Sequence, residues 1–110
     1  MNRTVAVNLR GDEYDHYMGR ANLSWGLLES VFHNPFHEGV DGTRAEVIEK
    51  FRIYFYELMA TRPDLVELLE TYRGKRLACW CKPKACHVDV IVEYLEGPAP
   101  IELPAQGSLF

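Results

Sequence analysis

Hydrophobic and polar positions along the chain divide it into short alternating elements. The run Thr4-Val5-Ala6-Val7-Asn8-Leu9 is β-branched and apolar on both faces, the pattern of a buried central strand, and Arg10-Gly11-Asp12 breaks it. Tyr14 to Met18 predicts a second, more exposed strand ending at Gly19-Arg20. From Ala21 to Gly42 the period is lost. Trp25-Gly26, Asn34-Pro35 and Asp41-Gly42 are turn signals there, with one helical turn expected over Leu27 to Phe32. A loop of this length in a compact domain is often a functional one.

The strongest helical pattern follows. Thr43 with Glu46 forms a capping box, and Val47, Ile48, Phe51, Phe55, Leu58 and Met59 recur at helical spacing up to about Thr61. Pro63 suits a first helical turn, and Leu65, Val66, Leu68, Leu69 and Tyr72 make a second apolar stripe that stops at Gly74. Arg76 to Cys81 reads as a strand. A last helix from about Cys86 to Glu96 turns Val90, Ile91, Tyr94 and Leu95 inward and ends at Gly97-Pro98. Strand, helices, strand and helix in this order predict an α/β class. The expected architecture is a small parallel or mixed sheet of about three strands flanked by helices in a Rossmann-like arrangement, with ligands beyond the carboxyl ends of the strands. The ends at Asn8-Leu9-Arg10 and Cys79-Trp80-Cys81 then open on one edge. Residues 1–97 are expected to form a single domain. Residues 98–110, with three prolines and no period, read as a flexible tail.

Composition changes this picture little. The chain has 110 residues, 47% of them hydrophobic and 25% charged, which fits one hydrophobic core. No apolar run approaches the roughly eighteen residues of a membrane span and no secretory signal opens the chain, so a cytoplasmic protein is expected. The net charge of −4 argues against a general nucleic-acid-coating surface and leaves any anion site local.

Candidate chemistry concentrates at Cys79-Trp80-Cys81-Lys82-Pro83-Lys84-Ala85-Cys86-His87. An odd count of three cysteines within eight residues does not make a secreted disulfide framework; it suggests reduced thiols, metal ligands or reactive groups. On a strand, Cys79 and Cys81 share a face. Cys86 and His87 would open a helix whose unpaired N–H groups, with Lys82 and Lys84, favour a thiolate or a bound phosphate, and Asp89 is placed to orient a neighbour. Three readings stay open. One is a reactive thiol or anion site, with Cys81 or Cys86 as nucleophile and His87 as base. Another is a zinc site of Cys79, Cys81, Cys86 and His87, whose spacing is not a common zinc pattern. The third is plain packing of small buried residues.

The segments Val7-Asn8-Leu9-Arg10, Tyr17-Met18-Gly19-Arg20, Asn34-Pro35-Phe36, Asp41-Gly42-Thr43-Arg44 and Gly74-Lys75-Arg76-Leu77, followed by Cys79-Trp80-Cys81-x-Pro83-x-x-Cys86-His87-x-Asp89-Val90, resemble a bacterial and phage family known as domain of unknown function 4326. Val88 stands where that family usually has glycine. The resemblance implies one site built from Asn8, Arg10, Gly19, Arg20, Asn34, Cys81, Cys86, His87 and Asp89, and no established activity. Arg10 and Arg20 are expected to hold anionic oxygens, because two guanidiniums at one sheet edge repel unless an acid or an anionic ligand pairs them. Arg44 is read as a solvated residue of a first helical turn. Gln106-Gly107-Ser108-Leu109-Phe110 resembles the bacterial sliding-clamp-binding pentapeptide, which makes the clamp an expected partner through Gln106, Leu109 and Phe110. The expected function is binding of a nucleotide, nucleic-acid end or other phosphorylated ligand at the cysteine turn, with catalysis left open and recruitment to DNA by the tail. The competing expectation is a non-catalytic adaptor with a structural cysteine turn.

Overall fold

The computed structural model describes residues 3–97; the tail lies outside them. Two elements open the chain, β1 (Val5–Asn8) and β2 (His16–Tyr17), and a single 3₁₀ turn follows at Leu23–Trp25. Helices α1 (Arg44–Thr61) and α2 (Pro63–Glu70), strand β3 (Arg76–Cys79) and helix α3 (His87–Glu96) complete it. The sheet has three parallel strands in the order β1-β3-β2, with Asn8 opposite Cys79 and Tyr17 opposite Ala78. This is the expected α/β class. Three strands are too few for the two βαβαβ halves of a full Rossmann sheet.

The central strand is β3, not β1 as its apolar run suggested. Leu77, Ala78 and Cys79 are all buried, whereas β1 is an edge strand with Val5 exposed. Apolar content on both faces reflects how well a strand is covered, and covering by helices does not distinguish an edge from a centre. The second strand shrinks to His16 and Tyr17, paired with Leu77 and Ala78, with single hydrogen bonds from the Asp15 and Met18 N–H groups to β3 on either side. Helical backbone in the long loop falls at Leu23–Trp25 rather than over Leu27 to Phe32. The strand predicted to reach Cys81 stops at Cys79.

Helix α1 begins where its capping box predicts. Thr43 Oγ1 accepts from the Glu46 N–H at 3.2 Å, and Glu46 Oε1 accepts from the Thr43 N–H at 2.8 Å. Its buried residues Val47, Phe51, Phe55 and Met59 recur every fourth position and form one stripe. That stripe meets α3, with Phe51 edge-on to His87 at 5.0 Å and Phe55 edge-on to Tyr94 at 5.5 Å between ring centres. Phe51 and Phe55 stack at 5.4 Å between ring centres, and fully buried Phe32 anchors the long loop edge-on to Phe55 at 6.3 Å. Burial of each such ring contributes about 1.5–3 kcal/mol, so this cluster fixes α1 against α3 and the loop over both. Helix α2 starts with Pro63 in its first turn as expected. Among the described residues, no helix is long and apolar enough to cross a membrane.

A three-thiol cavity beyond the sheet

All three strands run the same way, so the residues after Asn8, Tyr17 and Cys79 emerge together. Pairing continues one step past the strands: the Leu9 N–H donates to the Cys79 carbonyl and the Met18 N–H to the Ala78 carbonyl, each at 2.9 Å. Gly19-Arg20 and Trp80-Cys81 are thereby held side by side.

The chain then reverses. The Lys84 N–H donates to the Cys81 carbonyl at 2.8 Å, the Lys82-Pro83 peptide is cis, and Cys86 becomes the N-cap of α3. This turn, rather than strand alternation, gathers the thiols. The three sulfurs lie within 4.8 Å of one another, and Cys79 Sγ and Cys86 Sγ are 2.8 Å apart. Cys79 and Cys86 are buried and Cys81 is half-buried; none forms a disulfide.

Their environments separate their protonation states. Cys81 is held down to about 2 because the thiols of Cys79 and Cys86 donate hydrogen bonds to its thiolate and the Arg44 guanidinium adds a further donor and a positive charge, against the opposing effect of burial. Cys79 is pushed up chiefly by its hydrogen bond to Cys81, and Cys86 by its bonds to Cys79 and Cys81 and by burial. One negative charge shared among three close sulfurs is the stable arrangement, since two would repel. Arg44 is therefore not a solvated helix residue. Its guanidinium also donates to the Ala85 carbonyl at 3.1 Å and pairs with Glu38 at 3.4 Å.

Cys79, Cys81 and Cys86 open into a cavity of about 320 Å³, whose lining includes Gly19, Arg20, Asn34, Arg44 and His87 together with the apolar Phe36, Ile48 and Trp80. Of the residues the resemblance implied, Gly19, Arg20, Asn34, Cys81, Cys86 and His87 line this cavity. Arg20 donates to the carbonyls of Asn34 (2.7 Å) and Phe36 (2.9 Å), which straps the loop to the sheet edge. Asn34 Oδ1 accepts from the Phe36 N–H and shapes that turn. His87 is buried and uncharged, its pKa pushed down by burial; Nε2–H donates to the Met18 carbonyl at 2.8 Å.

Other expected members are not in the cavity lining. Asn8 braces the turn from the β1 side, donating through Nδ2 to the Lys82 carbonyl and accepting from the Arg10 N–H. Arg10 lies over the Trp80 ring at 5.6 Å. Lys82 pairs with Asp89, whose other oxygen accepts from the Cys86 N–H at 3.1 Å, so a carboxylate of the chain itself already occupies the start of α3. Lys84 is exposed. The cradle expected from Lys82, Lys84 and the helix N-terminus is not assembled, because an acid three residues into a helix reaches back to its own cap. Asp89 orients Cys86 and Lys82 rather than a group in the cavity. Val88 is fully buried in the core and leaves the cavity untouched.

Sequence reasoning missed Arg44, Tyr17, Phe36 and Trp80 as lining residues. All but Trp80 belong to segments quoted for the family resemblance other than the cysteine turn, which was the available signal. Tyr17 Oη accepts from Trp80 Nε1 at 2.9 Å and donates to the Arg20 carbonyl at 2.6 Å, tying three parts of the rim together. The three sulfurs could also hold a soft metal ion. His87 is not within that cluster.

Fold and site together define a small α/β protein whose parallel sheet edge carries a three-thiol cavity. The chain belongs to the family described as Domain of unknown function (DUF4326), whose model matches residues 2–97. It is also 42% identical over 50 residues to an uncharacterized 12.4 kDa protein in the nrdA-td intergenic region of Enterobacteria phage T4; the aligned segment spans 46% of this chain and 46% of that one. No solved structure matches.

Glycine at position 19 is required by Tyr17. A Cβ there would lie 2.5 Å from Tyr17 Oη and 2.7 Å from its ring. Gly19→Ala is expected to cost about 1–3 kcal/mol in urea denaturation by pushing Tyr17 off both partners, against about 1 kcal/mol for Tyr17→Phe, which keeps the ring in place. Equal stability of Gly19→Ala and wild type would contradict the packing described.

Proposed function

We propose that this protein acts on or captures a small molecule through a reactive thiol, with Cys81 as the nucleophile at the floor of the cavity. One observation carries the reading: of three sulfurs within 4.8 Å of one another, Cys81 is the half-buried one, and it lines the open cavity that Arg44 also lines. Buried packing cysteines have no need of a guanidinium, and a nucleophile does. His87 is held as a neutral imidazole whose Nε2–H is already donated, which suits it to fixing the floor of the site.

A phosphate-bearing ligand, a nucleotide among them, is the second reading. It is favoured by Arg20 and Arg44 both lining the cavity, although Lys82 and Lys84 do not join them. Recruitment to DNA through Gln106, Leu109 and Phe110 rests on the pentapeptide sequence alone, those residues lying outside the described ones.

One labelling experiment tests the thiol and the ligand. A single equivalent of iodoacetamide on the native, chelator-treated protein is expected to modify Cys81 first by peptide mass mapping. Arg44→Met should slow this about tenfold, and Lys84→Met should leave it unchanged. Protection of Cys81 by a nucleotide would establish the phosphate-bearing ligand. Even labelling of all three cysteines, or indifference to Arg44, would end the reading of Cys81 as the reactive group. For the tail, capture by a bacterial sliding clamp that vanishes in the Leu109→Ala, Phe110→Ala double variant is expected; capture unaffected by the variant, or none, rules the peptide out.

A further inference from the structure

A single nucleophile needs only one thiol, and this cavity has three. Cys79 is fixed at the end of the central strand, opposite Asn8, with its carbonyl accepting from the Leu9 N–H. Cys86 lies across the turn from Cys81, beyond the exposed Pro83, Lys84 and Ala85, and all three sulfurs are already within 4.8 Å. Cys86 Sγ is 2.8 Å from Cys79 Sγ, but Cys79 is held in the strand, so the link to Cys81, at a bonding distance of about 2 Å, is the one that movement of the exposed turn can close. Above the sulfurs the cavity is divided in character. Arg20 and Arg44, the latter paired with Glu38, supply the charged side, and Phe36, Val47, Ile48 and Trp80 supply the apolar wall.

We propose that the cavity reduces small organic hydroperoxides, with Cys81 as the attacking sulfur and Cys86 as the thiol that resolves it. The proposal rests on the reading of Cys81 as the reactive group and names its substrate. The thiolate attacks the terminal oxygen of ROOH, an S–O bond forms and the O–O bond breaks. The departing alkoxide faces Arg44 and leaves as ROH after taking a proton from solvent. Cys86 then attacks the sulfenic sulfur. The S–S bond forms, the S–O bond breaks, and hydroxide leaves with the Cys86 proton as water. The peroxide gains two electrons and the two thiols lose them; a dithiol reductant returns the pair to the reduced state by exchange. The apolar wall favours an organic peroxide over hydrogen peroxide, and Cys79 stays outside the covalent cycle as a hydrogen-bond donor.

The test uses the full, reduced, metal-free chain and cumene hydroperoxide, read by intact mass and peptide mapping. Expected are loss of two hydrogens, a Cys81–Cys86 link, and a rate at least about tenfold above free cysteine and above hydrogen peroxide on the same protein. Cys81→Ser should abolish the reaction and Cys79→Ser should still form the link. Dimedone present during wild-type turnover should trap a sulfenic acid at Cys81, which keeps the test decisive should either serine variant not fold. Oxidation no faster than that of free cysteine would overturn the proposal, while selective alkylation of Cys81 would leave the reactive-thiol reading standing. Stoichiometric metal that survives purification and is held by all three sulfurs would overturn it too.

Discussion

The structure depends on β3 being clamped between β1 and β2 in parallel. Its backbone groups are used on both sides, and its Leu77, Ala78 and Cys79 are buried against helices. Because all three strands share one direction, their carboxyl ends deliver Asn8, Met18-Gly19-Arg20 and Trp80-Cys81 to a common edge. An antiparallel β2 would send Gly19 and Arg20 to the opposite end and leave the cavity without one wall. The register is held by pairing on both sides of β3, where Ala78 lies opposite Val7 on one side and Tyr17 on the other.

At that edge the balance is electrostatic. The turn brings three sulfurs within 4.8 Å of one another, and one carries the charge while the other two remain protonated donors, with the positive charge of Arg44 adding to the effect. Arg44 reaches the site because α1 begins at residue 44, and α1 begins there because Thr43 and Glu46 cap each other. The Phe51 and Phe55 stack then locks the helix against α3, whose first residue follows Cys86. A local cap, a core stripe and a thiol environment are in this way one mechanical unit.

Much of this could be read from the chain. The capping box and four-residue stripe of α1, the Pro63 start of α2 and the Gly97 stop of α3 are local patterns with local causes, and each is found where expected. The shared edge of Asn8 and Cys79 followed from strand order. What escaped depends on contacts distant in sequence. The exposed edge of β1 is decided by which strand lies outside it. The pairing of Lys82 with Asp89 needs the turn between them, and it removes the cation and helix end expected to bind phosphate. Arg44 looks like any first-turn arginine until α1 meets the cysteine turn. His87, adjacent to Cys86 in sequence, is turned by the helix toward the Met18 carbonyl instead of the sulfurs.

The central claim is that Cys81 carries a thiolate while its two neighbours do not. It is tested most directly by the ultraviolet thiolate absorbance of the reduced, metal-free protein as pH is varied. A group whose folded pKa is depressed stays ionised as pH falls, so one thiolate per chain should persist at about pH 6, well below the ordinary cysteine range, and disappear in Cys81→Ser. Absorbance that appears only near pH 8–9, as about expected of free cysteine, would contradict the account.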